Sequence, residues 1–347
     1  MMKRTFLDHL STNETAFTVP LLAEIPLHAL KALCMHFPFD MASNFGFESR
    51  LGKPEAFCDF FMLIYRDSPG AQIMAGKSHI TDLSEHLRTD PLWQRISRLF
   101  EAWTTPGHPL YATVKEFWLE FDYHETSYNL SPNLFFGIAE DKEANKEIQW
   151  ETTQHVLDQI YQILFDIPFP ETLARNMQKY ILKLPENTRL YQTGFMIPRQ
   201  TEAIRLVLSK MTTDELIQYL VDIKWPGDLN EVKQMIEQYY TPFDYFLTQI
   251  NVGKEIHPYL GVEMYFDKAS QPQFNPKWAT AFDLLEKDAL LSQDKREALL
   301  HFCGKTKMNY LYPVKYIRGL NHIKLIYKQH YPIECKGYFG TIIQKEI

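Results

Sequence analysis

The chain has 347 residues, 45% of them hydrophobic and 14% aromatic, so it is long enough to bury a large core. The formal net charge is −7 and no Lys/Arg-rich run occurs, which argues against a nucleic-acid partner. The four cysteines are widely spaced and include no C-x-x-C pair, which indicates reduced thiols in a cytoplasmic protein. Neither a long apolar run nor an apolar leader occurs, so we expect no membrane span and no signal peptide.

Residues 1–43 predict a helical N-terminal cap, because leucine and isoleucine recur at helical intervals from Leu21 to the break at Pro38. We expect residues 44–347 to form a single domain that combines a sheet with helices. Within it, antiparallel hairpins alternate with helical segments. Because strand side chains alternate between faces, the sequence also indicates which of them lie on the same side of the sheet.

The first hairpin is predicted over residues 44–51 and 57–66, around a Gly-Lys-Pro turn. On its first strand Glu48 and Arg50 share one face, and two phenylalanines lie on the other. A helix is expected to open at Asp90-Pro91, because the aspartate can cap the helix and proline suits its first turn.

The second hairpin is predicted over residues 114–123 and 133–139. Its first strand places Trp118, Glu120 and Asp122 on one face, opposite phenylalanine and leucine. Acids therefore again share a strand face with an aromatic residue.

The middle of the chain predicts one strand, residues 189–197, among several helices. Tyr191 lies on this strand. Thr212 and Glu215 have the spacing of a capping box at a helix start. The helices expected here cover about 148–166, 171–184, 201–211 and 213–224, followed by one that runs to Tyr240.

The third hairpin is predicted over residues 243–252 and 259–267, with Glu263 and Tyr265 on its polar face. Two helices are expected to follow, the first opened by Asn275-Pro276. They are followed in turn by the last hairpin.

The last hairpin is predicted over residues 322–328 and 333–343. One face is apolar, and the other carries Lys324 on the first strand and Lys336 and Tyr338 on the second. Such a face either contacts water or lines a wet cavity. The function depends on which of the two holds.

Antiparallel strand pairs separated by helices argue against a parallel doubly wound sheet. We therefore predict an α+β fold with a large antiparallel sheet and helices on its outer face. The sheet can close to a barrel of about ten strands, in which case the polar strand faces become the interior.

This plan resembles the ABBA-type prenyltransferases, whose antiparallel barrel is ringed by helices. The resemblance covers about residues 44–343 and includes Lys336-Gly337-Tyr338, which matches the Lys-x-Tyr pair with which strands of that family bind the pyrophosphate of an allylic donor. It implies a transferase of natural-product biosynthesis that moves an isoprenyl group from its diphosphate to an aromatic or peptide acceptor. No cofactor is implied with certainty, and a need for Mg²⁺ stays open.

The resemblance also implies roles for individual residues. Fixed cations would stabilise the diphosphate leaving group, and aromatic walls would shield the carbocation. Glu120 would be the catalytic residue that orients the acceptor, with Glu48 as the other acid able to take this place. The expected substrate-binding residues are Lys324, Lys336, Tyr338, Trp118, Tyr191, Glu263, Tyr265, Glu48 and Arg50.

Other interpretations stay open at this stage. The chain can be a non-enzymatic peptide-binding or scaffold protein with an open polar sheet, or an enzyme on an unrelated α+β fold. Residues 71–78 match a loose phosphate-loop spelling, but the surrounding strands look antiparallel, so a chance match in a surface loop explains them better. No histidine pair has zinc-ligand spacing, and we expect no metal site. His322 is expected to be a hydrogen-bonded residue rather than a catalyst.

Overall fold

The computed structural model describes residues 4–78, 82–139, 145–199, 203–267, 270–309 and 313–345. Within them, the α-helices are α1 (Leu7–Thr12), α2 (Glu24–Cys34), α3 (Pro69–Met74), α4 (Glu85–Thr89), α5 (Pro91–Trp103), α6 (Pro109–Thr113), α7 (Lys146–Phe165), α8 (Glu171–Ile181), α9 (Thr213–Asp222), α10 (Leu229–Tyr239), α11 (Lys277–Lys287) and α12 (Gln293–Phe302). The β-strands are β1 (Asn44–Arg50), β2 (Asp59–Tyr65), β3 (Val114–Phe121), β4 (Tyr123–His124), β5 (Ser127–Tyr128), β6 (Asn133–Ile138), β7 (Leu190–Phe195), β8 (Ile204–Leu208), β9 (Tyr245–Val252), β10 (Ile256–Tyr265), β11 (Gly304–Asn309), β12 (Pro313–Lys328) and β13 (Glu334–Lys345).

Ten antiparallel strands close into a barrel in the order β1-β2-β3-β6-β7-β8-β9-β10-β12-β13. The ring closes where β10 pairs with β12, which places Glu263 opposite Lys324, and where β13 pairs with β1. The predicted α+β fold, with an antiparallel barrel of about ten strands and helices on its outer face, is confirmed.

β12 is the longest strand and pairs with two different neighbours along one edge. Residues 322–328 pair with β10 and complete the barrel, whereas residues 313–318 pair with β11. An irregularity between Leu320 and His322 separates the two parts on the β13 side. The β11–β12 ribbon therefore extends the barrel wall beyond the point of closure.

Outward-facing side chains of the barrel pack against the helices. Phe117 on β3 is fully buried, with ring centroids 5.0 Å from Phe100 and 4.7 Å from Trp103 of α5. Near the N-terminus, the Phe6 ring lies 5.3 Å from that of Phe45 on β1. The predicted apolar strand faces thus form the layer between barrel and helices.

Local sequence signals explain several helix starts. Asp90 Oδ1 accepts hydrogen bonds from the backbone N–H groups of Leu92 and Trp93, as the sequence predicts. Thr212 and Glu215 form the predicted capping box at the start of α9. These caps fix where the outer helices begin relative to the strands that precede them.

The helix predicted at about 201–211 is wrong. Residues 201 and 202 lie outside the described residues, and Ile204–Leu208 form strand β8 between β7 and β9. All five residues of β8 are buried, so the strand lacks the polar alternation that usually identifies one. Strand β11 and the first part of β12 were also not predicted.

Residues 71–78 do not have the structure of a phosphate loop, in agreement with a chance match. The segment follows an antiparallel strand, and its first part belongs to α3, which Ser68 caps. Lys77 donates hydrogen bonds to Glu101 O and Thr104 Oγ1, at 3.2 and 3.0 Å. Its ammonium group therefore ties two segments of the chain together.

No helix among the described residues is long and apolar enough to cross a bilayer.

Replacing Phe117 by alanine should lower the free energy of unfolding by about 3 to 5 kcal/mol, because it leaves a cavity between barrel and helix α5. Phe274→Ala is the matched control, since that side chain is 76% exposed, and it should change stability by about 0.5 kcal/mol or less. Urea denaturation of both variants measures this. Equal stability of the two variants would contradict the packing described.

Candidate active site

Within the residues that the structure describes, three adjoining cavities lie along the barrel interior. We call the first, of about 520 Å³, the basic chamber, because six arginine and lysine residues line it. The second, the aromatic neck, has about 150 Å³, and the third, the wide chamber, about 740 Å³. The basic chamber and the neck share Glu120, Lys324 and Tyr338, whereas the neck and the wide chamber share Trp118 and Tyr265.

Each cavity has its own character. The basic residues of the first are Arg50, Arg199, Arg205, Lys324, Lys328 and Lys336. The rings of the neck are Phe61, Trp118, Phe135, Tyr191, Tyr265, His322 and Tyr338. The wide chamber is lined by apolar side chains that include Tyr245, Phe266, Phe274, Ile317 and Ile342, together with polar and charged ones such as Asp267, Lys305 and Arg318. Cations are thus most numerous in the basic chamber, and rings make up the largest share of the lining in the neck.

The structure brings all the sequence-predicted site residues to this interior, although they come from six strands. Glu48, Arg50 and Lys336 line the basic chamber. Glu120, Lys324 and Tyr338 lie at its junction with the neck. The neck is further lined by Trp118, Tyr191, Glu263 and Tyr265.

Glu48 holds two of these residues in place. Its Oε1 lies 2.5 Å from Lys336 Nζ, and its Oε2 accepts a hydrogen bond from the Tyr338 hydroxyl. Burial opposes ionisation of Glu48, but Lys336 and Lys324 outweigh it and lower its pKa to about 2. The Lys-x-Tyr pair is therefore organised around a permanent carboxylate.

Glu263 forms a second buried centre where β10 meets β12. Its carboxylate accepts hydrogen bonds from Gln249 Nε2 at 2.5 Å and from the Tyr265 hydroxyl at 2.9 Å. Lys324 Nζ lies 3.9 Å from Oε1 and donates to the Gln249 side-chain oxygen. Burial opposes ionisation, but the imidazole of His322, when it is protonated, and Lys324 lower the pKa of Glu263 to about 2.

Arg205 on β8 is the functional candidate that sequence reasoning missed. Its Nε donates to Asn251 Oδ1 at 3.0 Å, and its guanidinium lies 5.0 Å from the centre of the Tyr259 ring. No carboxylate of the described residues forms an ion pair with it. Burial acts to raise the pKa of Tyr259, but the positive charges of Arg205, Lys324 and Lys336 outweigh burial, so the pKa is lowered overall. This part of the chamber therefore favours an anion.

Two other cations of the basic chamber, Arg199 and Arg50, have acidic partners. Arg199 binds Asp122 through two hydrogen bonds of 2.9 and 2.7 Å, and Arg50 Nε lies 3.3 Å from Glu334 Oε1. A bidentate pair fixes the orientation of the guanidinium plane. Arg199 was also missed, because the sequence around it carries no strand or motif signal.

Glu120 differs from Glu48 and Glu263, because it makes no hydrogen bond within the described part of the chain. Burial and repulsion from Glu48 raise its pKa to about 7, although Lys324 and Arg205 act in the opposite direction. Asp59, another residue that was not predicted, has its pKa raised to about 7 by burial and by Glu48. Both carboxyl groups can therefore exchange protons near neutral pH.

Four rings form a ladder across neighbouring strands, three of them in the neck and the fourth, Tyr245, in the wide chamber. The centroids of Tyr338 and His322 lie 4.1 Å apart, those of His322 and Tyr265 4.5 Å, and those of Tyr265 and Tyr245 5.1 Å. The register pairs these residues across β13, β12, β10 and β9. On another part of the wall, Phe61 and Trp118 pack edge to face.

Gly46 is required where the Phe61 ring crosses β1. A Cβ atom at Gly46 would lie 2.3 Å from the end of that ring and 2.8 Å from the backbone oxygen of Phe339. Any side chain there would displace Phe61 from the wall of the neck.

Within the described residues, no group of three or more histidine, cysteine, aspartate or glutamate side chains is positioned to hold a metal ion.

No protein-family model matches the sequence, and no curated protein sequence matches it. Solved structures do match over almost the whole chain. The prenyltransferase PriB in complex with diphosphate has a TM-score of 0.55 at 10% identity, covering 96% of this chain and 95% of that one. The 6-dimethylallyltryptophan synthase of Micromonospora olivasterospora has a TM-score of 0.52 at 10% identity, with 96% of each chain covered.

A third similar structure, AnaPT from Neosartorya fischeri, has a TM-score of 0.51 at 11% identity and covers 90% of this chain and 85% of that one. The chain therefore has the fold of the aromatic prenyltransferases. The ABBA-type resemblance inferred from the hairpin pattern is confirmed at the level of the fold.

The raised pKa of Glu120 makes a prediction about stability. A carboxyl group with a raised pKa binds protons more strongly in the folded state, so the free energy of unfolding falls as pH rises from 4.5 to about 7. Glu120→Gln should remove up to about 1.4 kcal/mol per pH unit of this decline.

Urea titrations at several pH values measure the slope. Glu125→Gln is the control, because that side chain is 81% exposed, and it should leave the slope unchanged. A decline of the same steepness in Glu120→Gln as in the wild type would show that Glu120 is not the group responsible.

Proposed function

We propose that the protein transfers an isoprenyl group from its diphosphate to an aromatic acceptor, either a small molecule or an aromatic side chain of a peptide. The observation that carries this proposal is the junction of the basic chamber with the aromatic neck inside a closed barrel. An anion bound in the chamber lies next to rings that can stabilise a cation in the neck. Few other reactions need these two environments side by side.

The diphosphate of the donor binds in the basic chamber. Arg205, Lys324 and Lys336 supply positive charge, and Tyr338 supplies a hydroxyl donor at the junction. The C–O bond of an allylic diphosphate breaks more readily when fixed cations stabilise the leaving group away from bulk water. The barrel wall supplies this shielding, because the lysine side chains are buried or half-buried between strands.

The isoprenyl chain extends from the diphosphate into the neck. Its developing positive charge lies between the faces of Tyr265, Tyr338 and Trp118, and aromatic faces attract cations. The same rings exclude water, which would otherwise capture the carbocation as an alcohol. The small volume of the neck brings the allylic carbon close to an acceptor entering from the wide chamber.

Glu120 orients the acceptor. It lies at the junction of chamber and neck without a hydrogen bond of its own, so it can accept one from an indole N–H or a phenol O–H. The remainder of the acceptor occupies the wide chamber, whose apolar lining suits a ring system. PriB has been crystallised with L-tryptophan and dimethylallyl thiolodiphosphate, which supports an aromatic acceptor for this fold.

A scaffold protein that binds peptides on an open polar sheet is not favoured. That hypothesis requires a flat sheet with exposed polar side chains. In the structure the sheet is closed, and the polar side chains lie inside it.

The direct test is incubation of the protein with dimethylallyl or geranyl diphosphate and an acceptor panel of L-tryptophan, L-tyrosine and tryptophan-containing cyclic dipeptides. Each reaction is run with Mg²⁺ and with EDTA, which decides the question of metal dependence. We expect a rise in melting temperature with the donor, release of diphosphate and a product heavier by one isoprenyl group. Absence of both stabilisation and diphosphate release with every donor would overturn the proposal.

Arg205→Met and Lys336→Met should each weaken the binding of inorganic diphosphate at least about tenfold, because each removes a charge-assisted contact. Lys336→Met should have the larger effect, since it also leaves Glu48 unpaired and repelling the ligand. Lys233→Met on the outer helix α10 is the matched control, and it should bind diphosphate like the wild type. Isothermal titration measures all three, and unchanged affinity in both barrel variants would place the anion site elsewhere.

A further inference from the structure

His322 stands out among the buried polar residues of the barrel. Its side chain is 6% exposed, and neither imidazole nitrogen has a hydrogen-bond partner among the described residues. Burying a polar group without a partner costs free energy, so such groups are uncommon in folded proteins. A packing role alone does not explain this histidine, because a phenylalanine or leucine would fill the space without that cost.

The surroundings of His322 leave its nitrogens available. The ring lies between Tyr338 on β13 and Tyr265 on β10, and the hydroxyl groups of these tyrosines donate to Glu48 and Glu263 instead. On its own strand, Lys324 donates to Gln249 and lies 3.5 Å from the Tyr338 hydroxyl. The neighbouring polar groups are thus already committed to each other.

One charged group is placed to act on the imidazole itself. Glu263 Oε1 lies 3.7 Å from His322 Nε2, which is beyond hydrogen-bonding distance but close enough for an ion pair once the ring is protonated. Glu263 also interacts with Lys324, so its charge is shared between two cationic partners. A proton arriving at His322 would therefore be stabilised without any movement of the chain.

His322 also borders the neck, together with Trp118, Glu120 and Tyr265. This is the section in which the proposed function places the bond-forming atoms. The imidazole is therefore available to a ring that enters the neck and protected from bulk water.

We propose that His322 is the catalytic base that takes the proton lost by the acceptor ring, and this inference rests on the proposed prenyl transfer. The allylic C–O bond breaks, and its electron pair leaves with the diphosphate. A ring carbon of the acceptor then forms the new C–C bond and becomes tetrahedral. Finally its C–H bond breaks, the electron pair restores aromaticity and the proton goes to the imidazole, paired with Glu263.

This assignment separates the work of the two candidate proton acceptors. Glu120, at the chamber side of the neck, orients the acceptor through a heteroatom N–H or O–H. His322 acts on the ring carbon, after the new bond has formed. Loss of His322 should therefore spare donor ionisation and slow the last step.

The test compares wild type with His322→Gln, using dimethylallyl diphosphate and the acceptor from the panel that gives the most product. Product formation should fall about a hundredfold, as for the loss of a general base. Release of diphosphate without acceptor should stay within twofold of wild type. With an acceptor deuterated at the reacting carbon, the wild type should show no isotope effect, and the variant should show a rate ratio of about two or more.

His36→Gln is the matched control. His36 bonds to Ser84 outside the barrel, so this variant should behave like the wild type in all three measurements. Melting temperatures of both variants show whether the fold is intact. If His322→Gln fails to fold, His322→Asn is measured in the same way.

The outcomes distinguish the two proposals. If the wild type prenylates and the folded His322 variant does so within twofold and without an isotope effect, the assignment of His322 is wrong and the proposed function stands. If the wild type neither releases diphosphate nor forms product, the proposed function is wrong, and the assignment of His322 is overturned with it. Slow product formation with an isotope effect only in the variant supports the assignment.

Discussion

The pairing of β10 with β12 is the constraint on which the rest of the structure depends. These strands are separated by two helices and the ribbon strand β11, and their hydrogen bonds turn an open sheet into a ring. Closure converts polar strand faces, which would otherwise contact water, into the lining of an interior. It also places Glu263 opposite Lys324, so the join itself carries part of the buried charge network. A break at this seam would therefore remove the site together with the fold.

The ionisation of the glutamates inside the barrel depends on their burial as well as on the charges around them. Glu48 and Glu263 stay ionised because buried cations and hydroxyl donors surround them, whereas Glu120 lacks such donors and has a raised pKa. Identical side chains inside one barrel thus differ in how readily they ionise. Two of them hold lysines and tyrosines in position, and the third is free to meet a ligand. Arg205 adds a positive charge that has no ion-pair partner among the described residues.

Much of the fold and part of the site could be predicted from sequence, because strand alternation is a local property. The faces that carry Glu48, Glu120, Lys324, Lys336 and Tyr338 are the inward faces of the barrel. Arg205 could not be predicted in this way, because all of β8 is buried and its apolar run also fits a helix. The ring ladder and the isolation of His322 depend on which strands become neighbours. Such contacts between distant parts of the chain leave no trace in local sequence.

The two carboxylates that bind Lys336, Tyr338 and Lys324 also affect what the empty barrel can bind. Each carboxylate contacts a lysine to which the proposed diphosphate would also bind. A small, singly charged anion such as chloride gains little by competing with these resident anions. A ligand with several negative charges that also reaches Arg205 competes better for these cations. The proposed donor, a diphosphate with an organic tail, has that character.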